Sequence, residues 1–221
     1  MIPTYSAPIM EKQRLINLLA SYGIRNSVLS AFDIIPREAF LENRLGESAY
    51  EDRALPIGEG QTVSQPSLVA EMIQALKLQG HEKILEIGTG SGFQTAILSR
   101  LVKQIYTVER IKKLADQAKI RLKDLNVKNV TFVMGDGSKG LAKHAPYDAV
   151  IVGAAFSKVP KPLVEQLKVG SSLVMPVGAK DWQEVTLYKK VGKGFQETLR
   201  MTPAHFVPLI GKYAWPQERL D

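Results

Sequence analysis

Gly88, Gly90 and Gly92 stand at alternate positions in ILEIGTGSGFQTAIL, after a short apolar run and before a stretch with helical spacing. At such a strand-to-helix turn, glycine lets a ligand lie against bare main chain, and the amides opening the helix favour an anionic group. Glu109 ends the next apolar run, about twenty positions on, where a doubly wound fold brings it to the same sheet edge to accept hydrogen bonds from a ribose diol. Asp136, in VTFVMGDGSKG, follows the third apolar run. There a carboxylate can take an adenine amino group while Gly135 and Gly137 leave room for the ring. Asp and Gly are also ordinary turn formers. The spacing departs from the dinucleotide fingerprint GxGxxG, because Phe93 holds the place of its last glycine.

Just upstream lies ALPIGEGQTVSQP, residues 54–66. It is too rich in Gly and Pro for a regular helix or strand, and it presents two hydroxyls, Thr62 and Ser64. It stands just before the glycine-rich motif. One role open to Ser64 or Ser67 is to cap a helix starting near Pro66. Other chemistries are absent. The chain has no cysteine, so thiolate catalysis, disulfides and zinc–thiolate sites are excluded. His81, His144 and His205 are far apart and lack metal-ligand spacing, so no metal site is expected.

The elements that position these residues alternate. Apolar runs at 83–87, 104–108, 130–134, 147–153 and 172–177 read as strands, and helical spacing occupies 66–78, 93–102, 111–125 and 160–167. This βαβ pattern predicts an α/β fold with a mostly parallel central sheet, helices on both faces and right-handed crossovers. Two alternating runs around GKG near 191–194 predict a C-terminal antiparallel hairpin at the sheet edge. Before the sheet, helical spacing over 8–22 and 27–35 and a turn at 37–40 predict a small helical extension, and LENRLGESAYEDR reads as polar loop. The expected organisation is one domain over 1–221: extension 1–53, substrate loop 54–66, cofactor-binding core 67–180, and hairpin with substrate-side tail 181–221. With 221 residues, 45% hydrophobic and 23% charged, the chain is long enough for one real core. No apolar run reaches membrane-spanning length and the N-terminus lacks a signal-peptide pattern, so a cytoplasmic protein without a membrane partner is expected. The net charge of +7 is spread along helical stretches interrupted by acids. It suits an anionic ligand, and no specific nucleic-acid partner is expected. No feature specifies an oligomeric state.

The GxGxG form preceded by Glu86 resembles the S-adenosylmethionine site of Rossmann-like, class I methyltransferases. LPIGEGQTVSQP, ILEIGTGSGFQTA, YTVER, GDGSKG, APYDAVIV and FVPLIG, in that order over nearly the whole chain, resemble the protein-L-isoaspartate O-methyltransferases, a protein-repair family. Gly153 stands where that family more often has Thr, Phe93 where Tyr is common, and Val63 where Ile is common. The resemblance implies that Glu86, Gly88, Thr89, Gly90, Gly92, Glu109, Arg110, Asp136 and Gly137 serve S-adenosyl-L-methionine, with S-adenosyl-L-homocysteine as product. It implies that the 54–66 loop is a lid and substrate clamp, Gly58 and Gly60 letting the backbone fold over the cofactor, with Ser64 and Thr62 as catalytic residues whose hydroxyls donate to the substrate carboxylate and orient it. Ile57, Gly58, Val63, Val207, Pro208 and Leu209 would line the substrate side, HFVPLIG pairing with the substrate backbone or simply packing as an edge strand. The substrates implied are damaged proteins and peptides with L-isoaspartyl residues, methylated on the free α-carboxylate.

Overall fold

The computed structural model describes residues 9–216. Helices α1 (Ile9–Ser21) and α2 (Asn26–Ile34) open it, followed by 3-10 turns at Arg37–Phe40 and Asn43–Ser48. The expected helix over 8–22 is met where it is described; residue 8 and the last five residues of the expected tail lie outside the described residues. Leu15, Leu19, Val28, Phe32 and Phe40 share one core with Phe93, Ala96 and Ile97 of the later α/β unit. The extension is therefore packed onto the domain.

Two expectations are corrected here. The stretch read as polar loop holds a 3-10 turn and buries Ala49 and Tyr50. Its side chains look polar because Glu51 and Arg53 are exposed, while the main chain is satisfied from within by Arg37, which donates to the carbonyls of Ala49, Glu51 and Arg53. The Gly- and Pro-rich stretch is not irregular either. It forms an antiparallel hairpin, β1 (Leu55–Gly58) with β2 (Gln61–Val63). Gly58, Glu59 and Gly60 have φ of 86°, 55° and 66° and make its tip, so these glycines form the turn between the strands. Leu55, Ile57 and Val63 point into the core.

Helix α3 (Pro66–Ala75) leads into alternating β3 (Lys83–Ile87), α4 (Phe93–Ser99), β4 (Gln104–Glu109), α5 (Lys112–Asp124), β5 (Val130–Met134), β6 (Tyr147–Val152), α6 (Lys161–Glu165), β7 (Leu167–Gly178), β8 (Gln183–Val191) and β9 (Gly194–Ala204). The seven-stranded sheet runs β5-β4-β3-β6-β7-β8-β9. Pairs from β5 through β7 are parallel; β7–β8 and β8–β9 are antiparallel, the expected hairpin. Strand β7 begins earlier than its apolar run, because Leu167 pairs with Tyr147 across an irregularity in the register.

Alternation along the strands builds two cores. Ile84, Ala149 and Ile151 face the extension with α3, α4 and α5, while Leu85, Ile87, Val150 and Val152 face α6 and the tail. From β3 the chain winds outward to β5, then returns to β6 on the other side of β3. The crevice above the carboxyl ends of these strands is the place where open α/β sheets bind ligands. Among the described residues no helix is long and apolar enough to cross a membrane.

Candidate active site

Beyond Ile87 the chain turns back on itself and starts α4 at Phe93. Gly92, the N-cap, has φ 91°, and a Cβ there would lie 2.7 Å from Leu122 Cδ1 and 3.2 Å from Ala118 Cβ. The loop therefore sits hard against α5, an approach only glycine permits. At the end of β4, Glu109 is 6% exposed. Its Oε2 accepts from Gly90 N at 2.9 Å, and its Oε1 accepts from Arg110 N at 2.8 Å and Ile111 N at 2.9 Å. Three main-chain donors thus hold an anion at the mouth of the glycine loop.

Glu86 lies one layer lower, fully buried. It accepts from Thr95 Oγ1 at 2.6 Å, Thr107 Oγ1 at 2.7 Å and Gln94 Nε2 at 2.9 Å. Burial pushes its pKa up, against the pull of these donors. Thr107 spends its only proton on Glu86, so Thr89, 2.6 Å from Thr107, is the donor in that contact. The lone pairs of the Thr89 hydroxyl remain for the cleft. Glu86 does not line the cleft; it acts on it through two hydroxyls.

The cleft holds about 980 Å³ of empty space, part of it open to solvent. Of the residues singled out in the sequence, Gly88, Thr89, Gly90, Glu109, Arg110, Gly137, Ile57, Thr62, Val63, Ser64, Val207, Pro208 and Leu209 line it. Glu86, Gly58, Gly92 and Asp136 do not. Gly58 is at the hairpin tip. Asp136 is turned to the tail: its Oδ1 accepts from Ser138 N and Oγ, and its Oδ2 from Lys212 N at 2.8 Å. Burial alone would raise the Asp136 pKa, but these bonds carry it below its ordinary value. Main chain bare of side chains at Gly88, Gly90, Gly137 and Gly153, a fixed carboxylate for a diol and apolar Ile111 and Leu114 on the wall fit an adenosyl group.

A second cleft is lined by Gln65, Leu68 and residues 202–207. Thr62, Ser64, Gly153 and Val207 line both, and so mark where the two meet. Ser64 does not cap α3. The N-cap is Gln65, without a side-chain cap bond, and Ser67 N donates instead to Asp52 Oδ1 at 2.8 Å. The tail packs as the edge-strand alternative describes, and part of its main chain is bonded within the protein. Val207 O accepts from Ala155 N, Leu209 N donates to Ala155 O, and Leu209 O accepts from Trp215 N, so these groups serve the fold. Phe206 and Leu209 are buried, as an ordinary strand would have them.

Sequence reasoning singled out Gly153 as a departure from the family without seeing that it would line both clefts, and it missed Ile111 and Leu114 on the cleft wall, and Arg37. The signal for Arg37 was present but weak: the one cation in AFDIIPREAF, a largely apolar stretch that also holds Asp33 and Glu38.

Residues 10–214 match the protein-L-isoaspartate(D-aspartate) O-methyltransferase family. The protein-L-isoaspartate O-methyltransferase of Dictyoglomus thermophilum is 48% identical over 206 residues, 93% of each chain. That of Pelobacter propionicus, numbered 2, is 45% identical over 213 residues, 96% of this chain and 93% of its own. A solved protein-L-isoaspartate O-methyltransferase superposes with a TM-score of 0.84 at 31% identity, over 92% of this chain and 67% of that one. A Plasmodium falciparum structure described as a putative member, in complex with S-adenosyl-L-homocysteine, has a TM-score of 0.77 at 22% identity over 89% of this chain and 97% of its own, a likeness of fold. The Rossmann-like methyltransferase fold is thus established, and the chain belongs to the protein-L-isoaspartate(D-aspartate) O-methyltransferase family.

Proposed function

We propose that this chain transfers a methyl group from S-adenosyl-L-methionine to the free α-carboxylate of L-isoaspartyl residues in damaged proteins and peptides. The observation that carries the reading is the meeting of the two clefts at Thr62, Ser64, Gly153 and Val207. One cleft suits a nucleoside, the other is open to a chain, and two hydroxyls stand between them. When bound, the cofactor supplies a methyl group activated on a positively charged sulfur.

The residues' part is to bind and align. A carboxylate of reference pKa about 3.9 is already ionised at neutral pH, so no general base has to be found. The ionisable residues lining the clefts are Glu109 and Arg110 on the cofactor side and His205, which shares the second cleft with Ser64. Ser64 and Thr62 donate to the carboxylate and orient it; Ser64 is not a nucleophile. The hairpin and tail exclude bulk water, which would otherwise favour the separated charges that shrink as the methyl moves. Holding nucleophile, methyl carbon and leaving sulfur in line contributes roughly 7–11 kcal/mol in favourable cases. Glu109 holds the ribose diol, Gly88 and Gly90 let the cofactor lie on the main chain, and Thr89 offers an acceptor. The methyl ester then closes to a succinimide without the enzyme, and hydrolysis returns part of it as normal aspartate, which makes the reaction a repair.

The test is methyl transfer from labelled cofactor to two matched peptides, one isoaspartyl and one aspartyl at the same site. Base-labile label on the isoaspartyl peptide alone is expected. Label on neither, with cofactor bound, would overturn the substrate. For the site, Ser64→Ala should lose turnover at unchanged melting; normal turnover with lower melting would make Ser64 a structural residue.

A further inference from the structure

The N-terminal extension holds a charged group that the reaction as described does not use. Arg37 is 1% exposed. Its Nη1 donates to Ala49 O at 2.7 Å and Glu51 O at 3.1 Å; its Nη2 donates to Arg53 O at 3.0 Å and Ser64 O at 3.1 Å. The last bond leaves the extension and reaches the residue at the meeting of the clefts. The guanidinium carbon also lies 5.6 Å from the centroid of Phe93, the first residue of α4 and a wall of the cofactor cleft. One planar group therefore touches both halves of the candidate site.

We propose that Arg37 is a positioning residue for methyl transfer, its guanidinium fixing the Ser64 backbone, and so its hydroxyl, against the cofactor cleft. The proposal rests on the reading of Ser64 as the residue that orients the substrate carboxylate.

Three observations favour positioning over plain stabilisation. The arrangement is costly: burial pushes the Arg37 pKa down to about 10 despite Asp52 nearby, and the buried Nε finds no partner. Leaving a buried donor unpaired opposes stability, so the fork is directed at its carbonyls and is not a general remedy for burial. Second, the carbonyl at Ser64 belongs to a link between β2 and α3, outside both elements. Third, the link is anchored at both ends. Arg37, which also holds the carbonyls of the 49–53 segment, takes the Ser64 carbonyl, and Asp52 of that segment caps α3 just beyond the link through Ser67 N. A hydroxyl on a link held in this way loses less freedom when a substrate arrives.

The test is a double-mutant cycle on the full chain with R37K, S64A and the pair, measuring kcat and KM for the isoaspartyl peptide, the Kd of S-adenosyl-L-homocysteine, and melting. R37K retains the charge but cannot span four carbonyls. It should lower kcat by about tenfold or more with KM for the peptide and homocysteine-cofactor affinity within about threefold, an alignment loss without a binding loss. On the S64A background, R37K should change kcat by less than about threefold, because the group it positions is gone. Independent, multiplying effects would overturn the proposal, as would homocysteine-cofactor affinity falling in step with activity. S64A that leaves turnover normal would instead sink the Ser64 reading, a separate result read from the single variant. R37Q, shorter and uncharged, is the second variant. If neither variant folds, Arg37 is a folding residue and the proposal fails.

Discussion

Glu109→Gln is the sharpest probe of the cofactor cleft. The change keeps the shape and removes the charge. In the structure both carboxylate oxygens already accept main-chain hydrogen bonds, Oε2 from Gly90 and Oε1 from Arg110 and Ile111. Whichever position the glutamine NH2 takes, it faces an N–H donor. With the NH2 at the Oε2 position one buried donor, Gly90 N, is left unpaired, and at the Oε1 position two are, so the less costly orientation loses about 1–3 kcal/mol, shared between the stability of the glycine loop and its fitness for ligand. The ribose diol loses the charge assistance of its acceptor, about 0.5–1.5 kcal/mol for each hydroxyl. Taking the ribose share with part of the loop distortion, binding should weaken by about 2–3 kcal/mol, roughly 30- to 150-fold in Kd. Titration calorimetry with S-adenosyl-L-homocysteine reads this directly, with melting recorded beside it. Glu109 lines the cofactor cleft and not the second one, so kcat at saturating cofactor and peptide should stay within about threefold. A folded variant whose Kd is unchanged within about threefold would refute the role of Glu109. Lost kcat at unchanged Kd would move it into the transfer step.

Gly92→Ala combines a left-handed backbone with a Cβ 2.7 Å from Leu122 Cδ1; unfolding experiments in denaturant should show a loss of about 2–3 kcal/mol, against less than 0.5 if the loop simply shifts. Glu86 has a folded pKa raised above its ordinary 4.5 by burial, so the unfolded chain loses its proton first, and this group's contribution falls as pH rises from the unfolded value through the folded one. Glu86→Gln should remove that slope, and melting curves of the two proteins between pH 4 and about 8 should diverge; parallel curves would show that Glu86 is not the source. Asp136→Ala removes the acceptor for Lys212 and Ser138 and should cost about 2 kcal/mol in melting. Gly211→Ala should do the same by displacing that carboxylate, since its Cβ would lie 1.9 Å from Asp136 Oδ1; the pair should be non-additive, and simple additivity would mean the two act separately. Because the Asp136 pKa is lowered, its contribution is present above its unfolded 3.8 and lost as pH falls below it.

The alternating sheet and the glycine loop were legible because they depend on local pattern. A short, nearly continuous apolar run such as KILEI, buried on both faces and bounded by glycines, reads as a central parallel strand, and Gly88, Gly90 and Gly92 mark a turn that few other residues can make. The hairpin at 55–63 was misread because its glycines looked like breaks, when strand pairing of Leu55 with Val63 surrounds them. The partners of Asp136 and of the tail were hidden for a tertiary reason. A carboxylate at a strand end can face a ligand or a returning chain, and only the position of Lys212, far along the sequence, decides it. For Arg37 the cation itself shows in the sequence, but its acceptors are carbonyls, which leave no trace in residue type, so its reach to Ser64 could not be read.

If the nucleophile arrives already ionised, a fold hosting this reaction has no need to tune a base, and selection falls on where two ligands sit relative to each other. The distribution of charge agrees. Glu109, buried at the cleft wall, faces the ligand directly, but Glu86 and Arg37, the two ionisable groups most completely buried near the clefts, act at one remove: Glu86 through Thr107 and Thr89, Arg37 through the Ser64 carbonyl. Neither can exchange a proton with a substrate from there, but each fixes a hydroxyl that can touch one. Burying such groups costs stability, and a well-packed apolar residue would serve the fold alone at least as well. Their presence is best explained by the direction they give to Thr89 in the cofactor cleft and to Ser64 between the clefts, the two hydroxyls that an in-line transfer would have to find already in place.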